Sequence, residues 1–187
     1  ESAEELAGFA DAVRCRLNAP AIPVDLDWPS YAGKKRHLPW YLLAAKALAG
    51  SGVRILMHGG GLHTAGRLYS EQLLEMLEIR HCHDWAAVAN ALEQQQLAFI
   101  PLGCWMPELQ RMIDLRNTLG LRSPIHSLAR ILNPLQARCA LQSIFHPGYQ
   151  AVHRDASQLL GDNVIVIKGE GGEIEVNPDS ACQLLGS

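Results

Sequence analysis

The sequence predicts an α/β fold, in which a doubly wound and mainly parallel sheet carries helices on both faces. Strand-like apolar runs alternate with helical segments along the chain, an order typical of βαβ units. The strand-like runs are continuously apolar instead of alternating, which indicates strands buried on both faces. Of the 187 residues, 48% are hydrophobic, so the chain can form a substantial core.

Each element is predicted from apolar periodicity and from the residues that end it. The first helix, 4–17, has apolar residues at helical spacing and ends before Asn18. The predicted strands are 22–27, 53–57, 97–100, 139–145 and 164–168. The later predicted helices are 42–48, 70–77, one that Asp84 caps, 107–119 and 148–160. Segment 124–135 is expected to be irregular or weakly helical, and 170–187 to be the edge of a truncated fold.

Composition and charge exclude several classes of protein. The longest apolar runs are far shorter than the ~20 residues of a membrane span, so no membrane association is expected. Five cysteines at wide, unrelated spacings indicate reduced thiols and a cytoplasmic protein. His81, Cys82 and His83 lack a second ligand pair at finger-like spacing, so no metal site is predicted. Because the net charge is −3, any nucleic-acid affinity must come from a local patch.

The loop after the first predicted strand is the most informative segment. A strand, a loop and a helix form a phosphate cradle when the loop is rich in glycine. This loop has the single glycine Gly33, followed by the basic residues Lys34, Lys35, Arg36 and His37. The sequence therefore predicts that an anion is held here by charged side chains rather than by bare backbone N–H groups.

Aromatic residues lie beside these charges, namely Trp28, Tyr31 and Trp40. Rings that stack on bases and cations that contact phosphates are typical of proteins that bind single-stranded nucleic acid. The alternative is a solvated basic loop, with both tryptophans packed in the core or between domains. For Trp40, packing is slightly favoured.

Later motifs complete a resemblance to a known family. His58, Gly59 and Gly60 follow the second strand, and 116–123 matches an Arg-x-x-Leu-Gly-x-Arg-Ser pattern that includes Arg116 and Arg122. With Asp25 and the Asn-Pro pair at 133–134, these motifs resemble the anthranilate phosphoribosyltransferases, glycosyltransferase family 3, over nearly the whole chain. The stretches at 28–34 and 57–59 are most similar to a divergent branch, the YbiB-like proteins.

The resemblance implies a domain organisation and a partner. Residues 1–18 would be a helix of the N-terminal helical domain, and 19–187 a phosphoribosyltransferase-like α/β domain, truncated at its C-terminus. Because the chain begins with Glu1 and not Met, residues are expected to be missing there. The YbiB-like branch implies a homodimer that binds nucleic acid, single-stranded DNA or RNA.

The resemblance also shows where this chain departs from the enzymes. The family's glycine-rich pyrophosphate loop is replaced by 28–33, and its acidic magnesium pair is reduced to Glu173 and Glu175, which are expected to be surface acids. In the family, the arginine that Arg116 matches contacts anthranilate. Magnesium and phosphoribosyl pyrophosphate are therefore expected only if the family reaction is retained.

The predicted binding site joins these loops around one cleft, with no catalytic residue and no metal ligand assigned. It comprises Ser30, Lys34, Lys35, Arg36, His37, His58, Gly59, Gly60, Arg67, Arg116 and Arg130. The predicted function is non-specific nucleic-acid binding with degraded catalytic motifs. Two alternatives stay open, an active phosphoribosyl- or glycosyltransferase with an unknown acceptor, and a dimerisation scaffold with a vestigial cleft.

Overall fold

The computed structural model describes residues 2–121, 123–179 and 181–186. Within these residues, seven strands form one sheet in the order β3-β4-β2-β1-β5-β6-β7. The strands are β1 (Leu26–Ser30), β2 (Ile55–Gly59), β3 (Arg80–His81), β4 (Leu97–Pro101), β5 (Cys139–Ile144), β6 (Val164–Lys168) and β7 (Leu184–Gly186). Neighbouring strands are parallel except for β7, which runs antiparallel to β6. The predicted fold class is confirmed.

Helices connect the strands and begin or end at recognisable caps. They are α1 (Ala3–Arg16), α2 (Tyr41–Gly50), α3 (Trp85–Gln95), α4 (Leu102–Trp105), α5 (Pro107–Asp114), α6 (Arg116–Leu119), α7 (Ile125–Leu128) and α8 (Tyr149–Leu160). Ser2 and Glu5 form a capping box at α1, and the Asp84 side chain accepts a hydrogen bond from the Ala87 amide at α3. None of the described helices is long and apolar enough to cross a membrane.

Of the three apolar clusters among the described residues, the smallest lies between β5 and β6, and the two larger ones cover opposite faces of the sheet. One contains buried side chains of α1, α3 and α5, including Leu6, Leu92 and Ile113. The other contains Leu42 of α2 packed with Phe99 of β4. Helix α1 also packs against α8. The assignment of 1–18 to a separate helical domain stays a prediction.

The main correction to the predicted elements concerns β1. The sequence places this strand at 22–27, whereas it spans Leu26–Ser30 and includes Pro29. Pairing with β5 involves Leu26 and Asp27, while pairing with β2 continues to Ser30. Pro29 therefore lies where the strand is paired on one side, a position in which a missing N–H is tolerated.

Other differences are smaller. The predicted helix at 70–77 is a 3₁₀ turn over Ser70–Leu73, and the predicted helix at 107–119 is divided at Leu115 into α5 and α6. Strands β3 and β7 and helix α4 are too short for periodicity to reveal them. Segment 124–135 is weakly helical, as predicted, with α7 followed by a 3₁₀ turn over Ala129–Ile131. The loops after β1, β2, β5 and β6 meet at the carboxyl edge of the sheet, where ligands bind in such folds.

Candidate functional site

The loop after β1 divides into two parts with opposite environments. Residues 31–34, here called the inner half, are all buried. Residues 35–40, the outer half, are exposed apart from Pro39. A short bridge between Lys34 and Leu68 fixes the point at which the two halves meet.

The inner half forms a nest of backbone amides. The N–H groups of Ala32 and Gly33 both donate to Oε1 of Glu173, each over 2.6 Å. Gly33 has a φ of +65°, and a Cβ there would lie 3.1 Å from the Leu68 carbonyl oxygen, so the turn requires glycine. Two converging amides of this kind are an anion-binding concavity.

This nest corrects the prediction that side chains replace backbone N–H groups in the loop. That prediction rested on Trp28 and Pro29 occupying the place of the nest. Both residues lie instead in β1, and Trp28 is buried against the ring of Tyr41. The amides of Ala32 and Gly33, which follow the strand, therefore remain available and do bind a carboxylate.

Glu173 is fully buried, which corrects its predicted position on the surface. Burial raises the pKa of its carboxyl group, while the charge of Arg130 and the amides of Gly33 and Ala32 lower it. The chain reaches this position through Gly171 and Gly172, which have φ values of +67° and +88°. The partners of the Glu173 carboxylate thus offset only part of the free-energy cost of removing it from water.

Lys34 is also buried, with 2% of its surface exposed. Its ammonium group forms ion pairs with the carboxylates of Glu170 and Glu175, the latter over 3.3 Å. Glu175, predicted to be a surface acid, is partly buried. Lys34 therefore does not join the exposed cations that follow it, contrary to the sequence expectation.

Two of the predicted arginines, Arg67 and Arg130, lie around the same nest. Arg67 donates to the carbonyl oxygens of Ala32, Gly33 and Gly171, so it joins the inner half to the glycine turn. Arg130 is buried beside Glu173. Arg116 is farther along the edge and donates to the Thr64 hydroxyl. Arg122 lies outside the described residues.

The remaining predicted residues are structural in their contacts. The ring of His58 is buried between the Tyr31 hydroxyl, 2.7 Å from Nδ1, and the Asp27 carboxylate, 3.3 Å from Nε2. Burial raises the pKa of Tyr31 well above its usual value, so this hydroxyl stays protonated. Ser30 shares hydrogen bonds with the hydroxyls of Tyr41 and Ser70.

Gly59 and Gly60 allow close approach of the chain. A Cβ on Gly59 would lie 2.5 Å from the Ser30 carbonyl oxygen, and one on Gly60 would lie 3.1 Å from the Tyr31 ring. Both glycines are therefore needed where β2 leaves the sheet beside β1.

The outer half presents the remaining basic side chains to solvent. Lys35, Arg36 and His37 are exposed. Trp40 follows at the start of α2 with 53% of its surface exposed, which corrects the slight preference for packing. Cations and an accessible indole therefore lie within six residues of one another.

A cavity of about 360 Å³ opens beside Arg130, between α7 and the turn after β5. Its lining includes Ser127, Phe145, His146 and His153. Burial and the Arg130 charge lower the pKa of His153 to about 4. Sequence reasoning missed the turn after β5, because Phe145 and His146 belong to no recognisable motif.

Comparison with known proteins identifies chains of similar sequence. No protein-family profile matches the chain. The protein YbiB of Escherichia coli is 26% identical over 98% of this chain and 59% of its own length. An anthranilate phosphoribosyltransferase of Desulfitobacterium hafniense is 29% identical over 99% of this chain and 56% of its own length. The chain thus spans a little over half the length of these curated relatives.

Solved structures give the same result for the fold. The anthranilate phosphoribosyltransferase of Thermus thermophilus superposes with a TM-score of 0.79 at 25% identity, over 99% of this chain and 59% of that one. The Saccharomyces cerevisiae enzyme in complex with phosphoribosyl pyrophosphate and magnesium gives 0.81 at 19% identity, over 99% and 53%. The predicted resemblance, and the α/β fold that it implies, are confirmed.

Proposed function

We propose that this chain, a homologue of YbiB-like proteins and of anthranilate phosphoribosyltransferases, binds single-stranded nucleic acid without sequence preference. The observation that supports this proposal is the exposure of Lys35, Arg36 and His37 beside the half-exposed ring of Trp40. Stacking on an aromatic ring is independent of base identity, and cations nearby contact the phosphates. The outer half of the loop supplies both.

The net charge of the chain limits the affinity of this surface for nucleic acid. With a net charge of −3, the chain has no overall positive field, so affinity depends on the local cations and falls steeply with salt. We propose a cytoplasmic homodimer, because two such loops on one particle would raise the avidity for a long strand without new contacts.

The proposal includes loss of the family reaction. The amide nest that could hold a pyrophosphate is filled by Glu173. The carboxylates of Glu170 and Glu175 face the ammonium of Lys34, which supplies the positive charge that a metal would bring. Within the described residues, no cluster of three His, Cys, Asp or Glu side chains could hold a metal ion. These residues do not fit magnesium, and we propose no step through it.

The test is a binding titration with an oligonucleotide of about 16 nucleotides, a length that covers one binding surface. Replacing Lys35 and Arg36 with Ala should weaken binding and reduce the slope of log K against log salt by about 1.4, since about 0.7 counterions are released per phosphate contact. The control is Arg138→Ala, an exposed arginine before β5 at the opposite edge of the sheet. An equal loss of oligonucleotide affinity in the double variant and in Arg138→Ala, or no loss in either, would reject the proposal.

A second candidate is a working phosphoribosyltransferase. It is favoured by the yeast structural neighbour, which is in complex with phosphoribosyl pyrophosphate and magnesium, and by the open cavity beside Arg130. Calorimetry with phosphoribosyl pyrophosphate and magnesium distinguishes the two functions. We expect no saturable heat, and a saturable signal would establish the transferase function instead.

A further inference from the structure

We propose that Glu173 is a built-in occupant of an oxyanion site, and that residues 170–175, here called the plug, keep this site closed against phosphate groups. The ligand class is a phosphate or diphosphate oxyanion, whose oxygens would take the place of the Glu173 carboxylate. This inference does not depend on nucleic-acid binding by the outer half of the loop.

The geometry of the nest supports the inference directly. One carboxylate oxygen accepts hydrogen bonds from both the Ala32 and Gly33 amides over 2.6 Å, slightly shorter than the about 2.7–2.9 Å usual for charge-assisted N–H···O bonds. A phosphate oxygen is likewise an anionic acceptor of similar size, so it can accept the same two bonds. Glu173 therefore occupies the nest as an external anion would.

The plug is acidic, and the side chains around it are basic. The plug carries three carboxylates, on Glu170, Glu173 and Glu175. Two of these pair with Lys34, and the third lies in the field of Arg130. Removal of the plug would leave a buried lysine, a buried arginine and two converging amides around one opening, which is a surface that attracts an oxyanion.

Besides these charged contacts, hydrogen bonds to its glycine turn hold the plug in place. Arg67 donates to the Gly171 carbonyl oxygen, and the Ser143 hydroxyl donates to that of Gly172. Both glycines have left-handed backbone conformations. Burial also raises the pKa of Glu173, so its partners return only part of the desolvation cost of this carboxylate.

The test compares wild type with Glu173→Ala, using inorganic pyrophosphate in magnesium-free buffer as the probe. Calorimetry should show at least about tenfold tighter binding to the variant, because two amides to a charged acceptor are made available. Pyrophosphate should also raise the Tm of the variant more than that of wild type. Glu108→Ala, which removes an exposed carboxylate from α5, is the control for net charge.

Two results would overturn the inference. One is equal pyrophosphate affinity of wild type and a folded Glu173→Ala variant, and the other is an equal gain in affinity in Glu108→Ala. If Glu173→Ala does not fold, Gly172→Ala decides. Its Cβ would lie 3.2 Å from the Ala32 Cβ at a φ of +88°, so it should loosen the plug while keeping the carboxylate. A folded Gly172→Ala variant without increased affinity contradicts the inference.

Discussion

Lys34 and Lys35 are neighbours in the chain, yet their side chains have opposite environments. Lys34 is buried and paired with Glu170 and Glu175, while Lys35 is exposed at the start of the outer half. Glu170 is 136 residues away along the chain. The difference shows that the role of a basic residue here is set by the plug that folds over the loop, not by the local run of charges.

The largest effect expected from this comparison is on stability. Lys34→Ala leaves the carboxylates of Glu170 and Glu175 together in a partly buried site, and should lower the free energy of unfolding by about 3 kcal/mol. Lys35→Ala should change it by less than about 0.5 kcal/mol, as is usual for exposed side chains. Urea unfolding followed by circular dichroism measures both values. Similar losses in the two variants would mean that the halves of the loop do not differ.

The next effect is on binding and concerns the outer half alone. Trp40→Ala should weaken oligonucleotide binding by about 1–3 kcal/mol, the contribution of one stacked base, and leave stability unchanged. Leu43→Ala is the matched control, because Leu43 is a similarly exposed apolar residue on α2. Anisotropy titrations of both variants give the comparison. A loss shared by Leu43→Ala would indicate a disturbed helix instead of stacking.

The smallest expected effect is a pH dependence of the unfolding free energy that arises from the carboxylate bound in the inner half. The pKa of Glu173 is raised in the folded state, so above the ordinary carboxyl pKa the folded chain retains a proton that the unfolded chain has lost. The contribution of Glu173 to the free energy of unfolding therefore falls as the pH rises from the ordinary carboxyl pKa through the raised pKa. Glu173→Gln should remove that loss.

The measurement is the difference in unfolding free energy between wild type and Glu173→Gln at several pH values. The opposite contribution of His153, whose pKa is lowered to about 4, increases stability as pH rises from 4 towards 6.5. It is common to both proteins and cancels in the difference. A difference that does not vary with pH would show that Glu173 is not perturbed by burial.

Most of the fold could be predicted from sequence, because long apolar runs between helical segments specify a parallel sheet. Strands β2, β4, β5 and β6 lie within two residues of their predicted positions. Strand β1 was misplaced because Pro29 was interpreted as a loop residue. A proline is tolerated in this strand because the pairing of β1 with β5 ends before Pro29. That end point is set by tertiary structure and cannot be predicted from the local sequence.

The candidate site was harder to predict. The exposed basic residues at 35–37 and the turn glycine Gly33 follow from local pattern. Glu173, however, reaches the Gly33 amide from 140 residues away, and no local signal distinguishes it from a surface acid. The burial of Lys34 has the same origin, because its partners are in the same plug.

The most direct test of this division of the loop is an amide NMR titration of the wild-type chain with a short single-stranded oligonucleotide. We expect saturable shifts of the amides of Lys35, Arg36, His37, Leu38 and Trp40, while those of Ala32 and Gly33 stay unchanged because Glu173 retains them. Saturable shifts of Ala32 and Gly33, with an unperturbed outer half, would contradict this expectation.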